Sequence, residues 1–225
     1  MNGRQRLAVL AGCVVVALLV AWYAAAQSPP PAAQPPAGSV RLGPEPGEPV
    51  ADYLGRLPAE LPAPGVAVAA LVQFTAELSP AAALAAVAGT TPQLVVVRAD
   101  LPRVQTALRF EQLEPGVPAP VALQNARNRA QQAAATDADR LTGRSRDVAA
   151  AEQARLADPD GAWVLAVVVD GDRAALDALA HRSSVRAVDA APAGTGLRDL
   201  ALSPLLPGQR DRADPLPDDG PVPAA

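Results

Sequence analysis

The chain has 225 residues, of which half are hydrophobic but only 3% are aromatic, so alanine, valine and leucine supply most of the apolar surface. A net charge of −4 argues against a broad positive footprint for nucleic acid. One cysteine and one histidine exclude a disulfide framework and a zinc site built from these residues. We therefore predict a protein that binds no nucleic acid and carries no metal or cofactor.

An uncharged apolar segment lies near the N-terminus, at residues 7–26. Its length of ~20 residues, at ~1.5 Å of helical rise each, matches the ~30 Å hydrocarbon core of a bilayer. Arg4 and Arg6 precede the segment and the next arginine is Arg41, which places residues 1–6 in the cytoplasm and the rest of the chain outside. The sequence thus predicts a signal anchor, a transmembrane helix whose partner is the lipid bilayer of the cell membrane.

Two other fates of this segment stay open. Residues 24–26 are three alanines that resemble a signal-peptidase site, and cleavage near Ala26 would release a secreted protein. The apolar run is, however, longer than the ~7–15 residues of a usual signal-peptide core. Residues 10–13 resemble a lipobox in which Cys13 would carry lipid, although apolar sequence continues after it.

Proline and alanine dominate residues 27–49, which we assign to a linker. Proline favours the extended polyproline II conformation, so the linker would hold the next domain away from the bilayer as a semi-rigid stalk. A low-complexity insert without a spacing role is the alternative.

A folded extracytoplasmic domain is predicted at residues 50–198, and it begins with a strand–helix–strand unit. The apolar run at residues 65–74 has the length of a buried strand. Ser79 and Pro80 then supply an N-cap and a first helical residue. The β-branched run at residues 94–97 completes the unit.

The same order of elements returns near the C-terminal end of the domain. Residues 163–169 are typical of a buried strand, residues 173–181 of a helix with Leu176 and Leu179 inward, and residues 184–189 of a second strand. Two βαβ units in a chain of this size predict an α+β fold, specifically a ferredoxin-like sandwich with one sheet and two helices on one face.

Between the two units, residues 104–113 extend the sheet or form a loop. Residues 121–157 are rich in alanine, glutamine, arginine and aspartate, and they predict a long inserted helix. Gly143 is expected to bend or break it, because glycine costs ~1 kcal/mol relative to alanine in a helix. The helix lies on its own domain or, alternatively, forms an arm that meets a partner helix.

Residues 199–225 are assigned to a proline-rich acidic tail. Its first part, residues 200–206, is apolar enough to pack back on the domain. The remainder, residues 209–225, is polar and proline-rich and is expected to be disordered.

The side chains that could carry chemistry are few. His181 follows Asp177 by four residues, with Ser183 and Ser184 close behind. Neighbours at one helix end rarely converge on a substrate, so a histidine in the last turn of a helix is favoured over a Ser-His-Asp triad.

Two carboxylate pairs, Asp158 with Asp160 and Asp170 with Asp172, flank predicted turns, where aspartate is a common cap. Phosphate-loop and Schiff-base chemistry are excluded because the chain has no lysine. Five arginines make the inserted helix basic, but aspartates interrupt them, which favours a solvated face over an anion or lipid site. These arginines are Arg127, Arg129, Arg140, Arg144 and Arg146. We predict that the protein is not an enzyme, and we assign no catalytic, cofactor-binding or metal-binding residue.

The order of parts resembles a known group of proteins. A short basic N-terminus, one membrane span, a Pro/Ala stalk and a domain with the sequence VRAVDAAP at residues 185–192 resemble uncharacterised single-pass membrane proteins of high-GC actinobacteria. The resemblance implies a location in the cell envelope and implies no activity.

The leading hypothesis is therefore a membrane-anchored envelope protein whose outer domain binds another envelope protein, by strand addition or through the inserted helix. The alternative is a tethered inhibitor or chaperone of a secreted subtilisin-like peptidase, because the propeptides of such enzymes are similar in fold and residues 200–206 could enter a cleft. A glycan hydrolase that uses only carboxylates and arginine is a third possibility, which the scarcity of aromatic residues disfavours.

Overall fold

The computed structural model describes residues 39–224. The predicted cytoplasmic residues 1–6, the membrane segment 7–26 and the first half of the predicted linker lie outside the described residues, as do the cleavage and lipidation positions near Ala26 and Cys13. Within the described part of the chain, no helix is both long and apolar enough to cross a membrane.

Helices and strands are mixed along the described residues, which makes the protein α+β, as predicted. A short 3₁₀ turn, Leu197–Asp199, precedes the last strand. The elements in chain order are β1 (Val40–Leu42), α1 (Val50–Glu60), β2 (Val68–Leu78), α2 (Pro80–Ala86), β3 (Thr91–Val97), β4 (Arg109–Gln112), α3 (Ala119–Arg140), α4 (Gly143–Arg155), β5 (Val164–Gly171), α5 (Arg173–Ala180), β6 (Val185–Ala190) and β7 (Leu200–Leu202).

Five strands form the central sheet in the order β4-β3-β5-β2-β6, and every neighbouring pair is antiparallel. The first predicted unit is β2, α2 and β3, and the second is β5, α5 and β6. β5 lies between the strands of the first unit, and β2 lies between the strands of the second. The two units therefore interleave in one sheet.

The helices of both units begin at the residues that the sequence indicated. The Ser79 hydroxyl accepts a hydrogen bond from the Ala82 N–H at 3.3 Å, and the Asp172 carboxylate accepts one from the Ala175 N–H at 2.9 Å. Both leucines that were predicted to face inward on α5 are buried. Local capping and spacing thus account for these elements.

The inner strands β2, β3 and β5 are buried on both faces over much of their length, which explains why they are apolar at successive positions rather than at alternate ones. Along β2, Val68, Ala70 and Val72 pack on the side of the helices α2, α5 and α3. Ala69 and Leu71 belong to a second apolar cluster on the opposite side.

Segments that were assigned to the linker and the tail cover this second face. β1 and β7 form a parallel pair and contribute to the second cluster, with Leu42 buried. α1 and the fully buried Leu205 pack beside them, around Ala187. Within the described residues, packed structure therefore continues on both sides of the predicted 50–198, because the face of the sheet that the other helices leave open needs an apolar cover.

The expected disorder of residues 209–225 does not agree with the structure. The Ala213 N–H donates to the Glu48 carbonyl at 2.9 Å, and the Gly220 N–H donates to the Arg103 carbonyl at 2.8 Å. The tail has few apolar side chains, and hydrogen bonds and ion pairs to the domain surface hold most of it instead.

The inserted region is a pair of helices rather than one long helix. α3 ends at Arg140, and α4 begins at Gly143, whose φ of +58° turns the chain back. Small buried side chains, among them Ala126 and Ala130, let the pair pack closely on the domain. The Arg127 guanidinium donates to a carbonyl at the end of α4, so the two helices run antiparallel.

Candidate functional site

His181 serves the end of its own helix. It is the C-cap residue of α5, and its Nδ1 lies 2.8 Å from the backbone oxygen of Asp177. The backbone carbonyl of Ser184 accepts the N–H of Thr75. The structure thus places His181 at the end of a helix and Ser184 in the pairing of two strands.

The two aspartate pairs occupy turns and caps. Asp172 caps α5, and the Asp158 carboxylate accepts the N–H of Asp160 at 3.0 Å. Asp170 is bound by the side-chain amide of Gln93. Among residues 39–224, no group of three or more His, Cys, Asp or Glu side chains is placed to hold a metal ion.

Three of the five arginines of the inserted region join distant segments of the domain, whereas Arg140 and Arg146 are exposed, as predicted for a solvated face. Arg127 Nη1 donates to the Leu156 carbonyl at 2.7 Å and so caps α4. Arg129 Nε lies 2.8 Å from a carboxylate oxygen of Glu111 on β4. Arg144 donates to the C-terminal tail. The sequence could not show these contacts because each one joins distant segments.

A buried polar network links the second layer to the sheet. One carboxylate oxygen of Asp189 accepts the Gly43 N–H at 2.6 Å and the Tyr53 hydroxyl at 2.9 Å. Gln73 Nε2 donates to the Tyr53 hydroxyl oxygen at 2.6 Å, while Gln73 Oε1 accepts the Leu205 N–H at 2.6 Å. The network therefore joins β2 and β6 to the segments before and after them in the chain.

Burial dominates the electrostatics of this network. Desolvation raises the pKa of Asp189, although hydrogen bonds from Gly43 and Tyr53 oppose the shift. Desolvation and the Asp189 carboxylate also raise the pKa of Tyr53, so its hydroxyl stays a donor. Because Tyr53, Gln73 and Asp189 are all buried, the network suits a structural role rather than contact with a substrate.

A second polar cluster fastens β4 to the inserted helices. Arg109 Nη2 lies 3.0 Å from a carboxylate oxygen of Asp137 and 2.9 Å from one of Glu152. The other Glu152 oxygen accepts the Ala107 N–H at 2.6 Å. Burial opposes ionisation of Asp137, but hydrogen bonds from Arg140 and Arg109 outweigh it and lower the pKa of Asp137.

A cavity of about 220 Å³ adjoins this cluster. One buried polar atom in the cluster, Arg109 Nε, has no hydrogen-bond partner among the described residues. The guanidinium already contacts two carboxylates, so the arrangement does not favour an anion.

β4 forms an edge of the sheet, since among the described residues only β3 pairs with it. The Leu113 N–H donates to the Gln93 carbonyl at 2.8 Å. Because inward and outward backbone groups alternate along an antiparallel pair, the N–H and C=O of Phe110 and Gln112 point away from β3. Arg129 donates to the Gln112 carbonyl at 2.6 Å, which leaves the Gln112 N–H and both Phe110 groups facing outward.

The opposite edge, β6, is covered. The Arg186 guanidinium donates to the Leu206 carbonyl at 2.8 Å, which brings the tail alongside this strand. Tyr53 and Leu57 of α1 pack in the same apolar cluster as Ala187 of β6. The two edges of the sheet therefore differ in their accessibility to another chain.

An apolar cavity of about 440 Å³ lies where β3 begins and β4 ends. The Phe110 side chain is 43% exposed, and Gln112, two residues further along β4, lines the cavity. We call Phe110, Gln112 and this cavity the β4 edge surface. It offers backbone groups and an apolar recess to an extended chain. The apolar residues that line the cavity are Pro92, Leu113, Pro115, Val117, Ala119, Ala122 and Leu197.

The sequence carried a weak signal for this surface. Arg109 and Glu111 alternate with Leu108 and Phe110, which is the period of a strand with two different faces. Of the predicted residues 104–113, the structure places Arg109–Gln112 in the sheet as β4, whereas residues 105–108 belong to no helix or strand. The adjoining cavity combines three distant segments, so sequence spacing could not reveal it.

Comparison with protein-family models, curated proteins and solved structures finds no match to this chain. The candidate sites therefore depend on the geometry of this chain alone.

Proposed function

We propose that this chain is a single-pass envelope protein, anchored by residues 7–26, whose outer domain binds another protein by accepting a strand at β4. The observation that carries the proposal is the outward-facing backbone of Phe110 and Gln112 beside an apolar cavity. The role is one of recognition, without catalysis.

We further propose that strands β6-β2-β5-β3, with α2 and α5, form a ferredoxin-like sandwich. The interleaving of two strand–helix–strand units in an antiparallel sheet supports this assignment. β4 is then an additional strand at the edge of the sandwich, and the helices α3 and α4 are an insertion between its two halves.

The chemistry of the β4 edge surface defines the partner that it would bind. Three outward backbone groups offer three hydrogen bonds, each worth ~0.5–1.5 kcal/mol net. One bulky aliphatic or aromatic side chain that enters the cavity would add ~1.5–3 kcal/mol. The partner is therefore an extended segment in which a large apolar residue follows or precedes the paired positions.

The peptidase-inhibitor alternative receives less support. It relied on insertion of the apolar residues 200–206 into an enzyme cleft. Leu205 is fully buried in this domain, and β7 pairs with β1. Insertion would require this segment to leave its own core, so we retain only the interaction role as the proposal.

A cysteine at the β4 edge tests both the location and the surface. In a Cys13→Ala background, Phe110→Cys would be labelled in intact cells with a membrane-impermeant maleimide that carries a photoreactive group. Ala178→Cys is the matched control, because Ala178 is exposed on α5, and β3 separates the strands beside α5 from β4.

We expect both cysteines to be labelled without cell lysis, and illumination to crosslink one envelope protein from position 110 and not from position 178. Labelling only after lysis would refute the outer location of the domain. Identical crosslinks from the two positions, or none from position 110, would refute strand addition at β4.

A further inference from the structure

The C-terminal segment, residues 216–222, lies in a groove between the turn at residues 101–105 and the helix α4. The Gln105 N–H donates to the Asp218 carboxylate at 3.0 Å, and the Gln105 side-chain amide donates to the Leu216 carbonyl. The Arg103 guanidinium pairs with the Asp219 carboxylate. Two residues of this turn, Arg103 and Gln105, thus contact Leu216, Asp218 and Asp219 of the segment.

Arg144 of α4 completes the polar contacts of this groove. Its Nη2 lies 3.1 Å from an Asp218 carboxylate oxygen and 3.2 Å from the Asp218 carbonyl, and its Nη1 lies 3.0 Å from the Gly220 carbonyl. Val222 then packs beside the apolar cluster of Leu101, Val104 and Ala151. The groove therefore binds two carboxylates and backbone carbonyl groups of the segment, and it contacts one apolar side chain.

Gly220 makes this recognition stringent. A Cβ atom at this position would lie 2.5 Å from the Pro102 carbonyl oxygen and 2.8 Å from the Arg103 Cβ. The carboxylates of Asp218 and Asp219, just before Gly220, complement the basic groove, which lowers the pKa values of both. The Gln105 N–H and then Arg144 lower the pKa of Asp218, and the Arg103 hydrogen bond lowers the pKa of Asp219.

Backbone strain marks the same contact. Arg103 has a φ of +56°, and among the described residues it is the only non-glycine residue with a positive φ. Its carbonyl accepts the Gly220 N–H, and its side chain binds Asp219. Strained residues of this kind are concentrated where a protein clamps a ligand.

The ion pairs of the segment are exposed to solvent, and the segment fills the groove incompletely. The ion pair of Arg103 with Asp219 is 60% and 65% exposed, and that of Arg144 with Asp218 is 43% and 47% exposed. Such exposed pairs stabilise weakly. Cavities of about 460 and 420 Å³ flank the two ends of the segment, one lined by Leu216 and Pro217 and the other by Pro223 and Ala224.

We propose that this groove is a peptide-binding site for an acidic, proline-flanked Asp-Asp-Gly segment of a partner protein, and that the chain's own C-terminal segment occupies it as an internal competitor. The unfilled cavities favour a partner with larger apolar residues on either side of that motif. The chain's segment can leave without disturbing the two apolar clusters of the sheet, because Val222 packs on the separate cluster of Leu101, Val104 and Ala151. The last backbone pairing before the segment is that of Ala213 with Glu48 and Gly47. This site is independent of the proposed role of the β4 edge surface.

A labelled peptide with the sequence of residues 214–225 is the probe. It would be titrated by fluorescence anisotropy against the full-length chain in detergent and against an Asp218→Asn, Asp219→Asn, Gly220→Ala variant, whose own segment no longer competes. We expect about tenfold tighter binding to the variant, because a tethered competitor is present at high effective concentration.

Changes in the peptide test the chemistry of the groove. The peptide change Ala224→Leu should tighten binding about fivefold by filling the adjoining cavity, whereas Gly220→Ala in the peptide should abolish binding. The groove variant Arg103→Gly with Arg144→Gln, in the freed background, should lose the peptide while its thermal transition stays intact.

Equal affinity for wild-type and freed chains would overturn the proposal, and so would binding that tolerates Gly220→Ala in the peptide. A wild-type dimer whose C-terminal segments crosslink between copies would overturn the assignment to a partner protein and identify a second copy as the occupant.

Discussion

Asp189 shows how one residue can connect the layers of this protein. Its carboxylate is buried, and it receives the N–H of Gly43 and the hydroxyl of Tyr53. Removal of an acceptor that serves two buried donors costs ~1–3 kcal/mol for each donor left unpaired. The same burial disfavours the ionised carboxylate, so the stability that Asp189 contributes depends on pH.

The variant Asp189→Asn isolates this pH dependence, because asparagine keeps an acceptor but does not titrate. Burial raises the folded-state pKa of Asp189 above its unfolded value, with Glu60 raising it and Arg56 opposing. The contribution of Asp189 to the free energy of unfolding is therefore fully present below its pKa in the unfolded chain, ~3.9. It is lost as the pH rises through the pKa of Asp189 in the folded protein. The unfolding free energy of the wild type minus that of the variant should increase from about pH 7 to about pH 4 in urea titrations.

Asp189→Ala serves as the comparison, since it leaves both donors without an acceptor at every pH. It should unfold at lower urea concentration than Asp189→Asn throughout. A wild-type advantage that shrinks on acidification would mean that the hydrogen bonds to Asp189 outweigh its desolvation.

At the scale of elements, the ion cluster of Arg109 decides how the inserted helices sit on the sheet. Arg109 belongs to β4, Asp137 to α3 and Glu152 to α4. A buried pair of this kind adds little compared with an apolar pair of the same size, but the loss of one partner leaves an uncompensated charge. The cluster thus favours one arrangement of the three elements.

The variant Arg109→Met should destabilise the domain by ~3–5 kcal/mol, because the Glu152 side chain is only 4% exposed and would lose its cation. The double variant Arg109→Met, Glu152→Met should recover most of that loss. Arg140→Met is the control: Arg140 is 70% exposed in its pair with Asp137, so its removal should cost less than ~1 kcal/mol. Chemical denaturation of the wild type, the single variants Arg109→Met and Glu152→Met, and the double variant gives the coupling energy of the pair, and additive losses would contradict the arrangement.

The inserted region also shows where sequence patterns are insufficient. Helix propensity correctly indicated two helical stretches on either side of Gly143, because propensity is a property of neighbouring residues. Whether the chain continues or turns back depends on the surface that receives it. Here Arg109 of β4 pairs with Glu152 of α4, and Glu111 of β4 pairs with Arg129 of α3. Both helices can meet this one strand because they form an antiparallel pair.

At the scale of the whole molecule, the inner strands of the central sheet are buried on both sides, and segments from both ends of the folded unit help to cover one of these sides. Leu42 and Leu205 come from opposite ends of the folded unit and lie on the same side of the sheet. Their burial contributes on the order of 1.5–3 kcal/mol each. The segments around them are therefore structural parts of the domain.

Two truncations distinguish the structural part of the tail from its groove-binding part. Deletion of residues 203–225 removes Leu205, whose loss alone is worth ~2–5 kcal/mol, and should lower the melting temperature by about 10 °C or more. Deletion of residues 214–225 keeps Leu205 and the Ala213 pairing and should lower it by only a few degrees. Calorimetry of both proteins checks this, and equal effects would contradict the division at Ala213.

The candidate interaction surfaces were less predictable than the fold. The strand at Arg109–Gln112 has a period-two pattern, but its exposure at the sheet edge depends on the strand order. The groove of Arg103 and Arg144 combines a turn, a helix and the tail, which are far apart in the sequence. A list of residue types cannot indicate such a site, because each contact is non-local.

By itself, the sequence determined the α+β class, the two strand–helix–strand units and their caps, since these depend on spacings of two to four residues and on local hydrogen bonds. The membrane anchor at residues 7–26 stays a prediction from the same kind of local pattern. Only the tertiary structure decided that proline-rich segments from both ends cover the second face of the sheet, that the inserted region folds back, and that β4 is left at an edge. The physical reason is that burial depends on which apolar surfaces remain uncovered once the sheet has formed, and that surface exists only in the assembled fold.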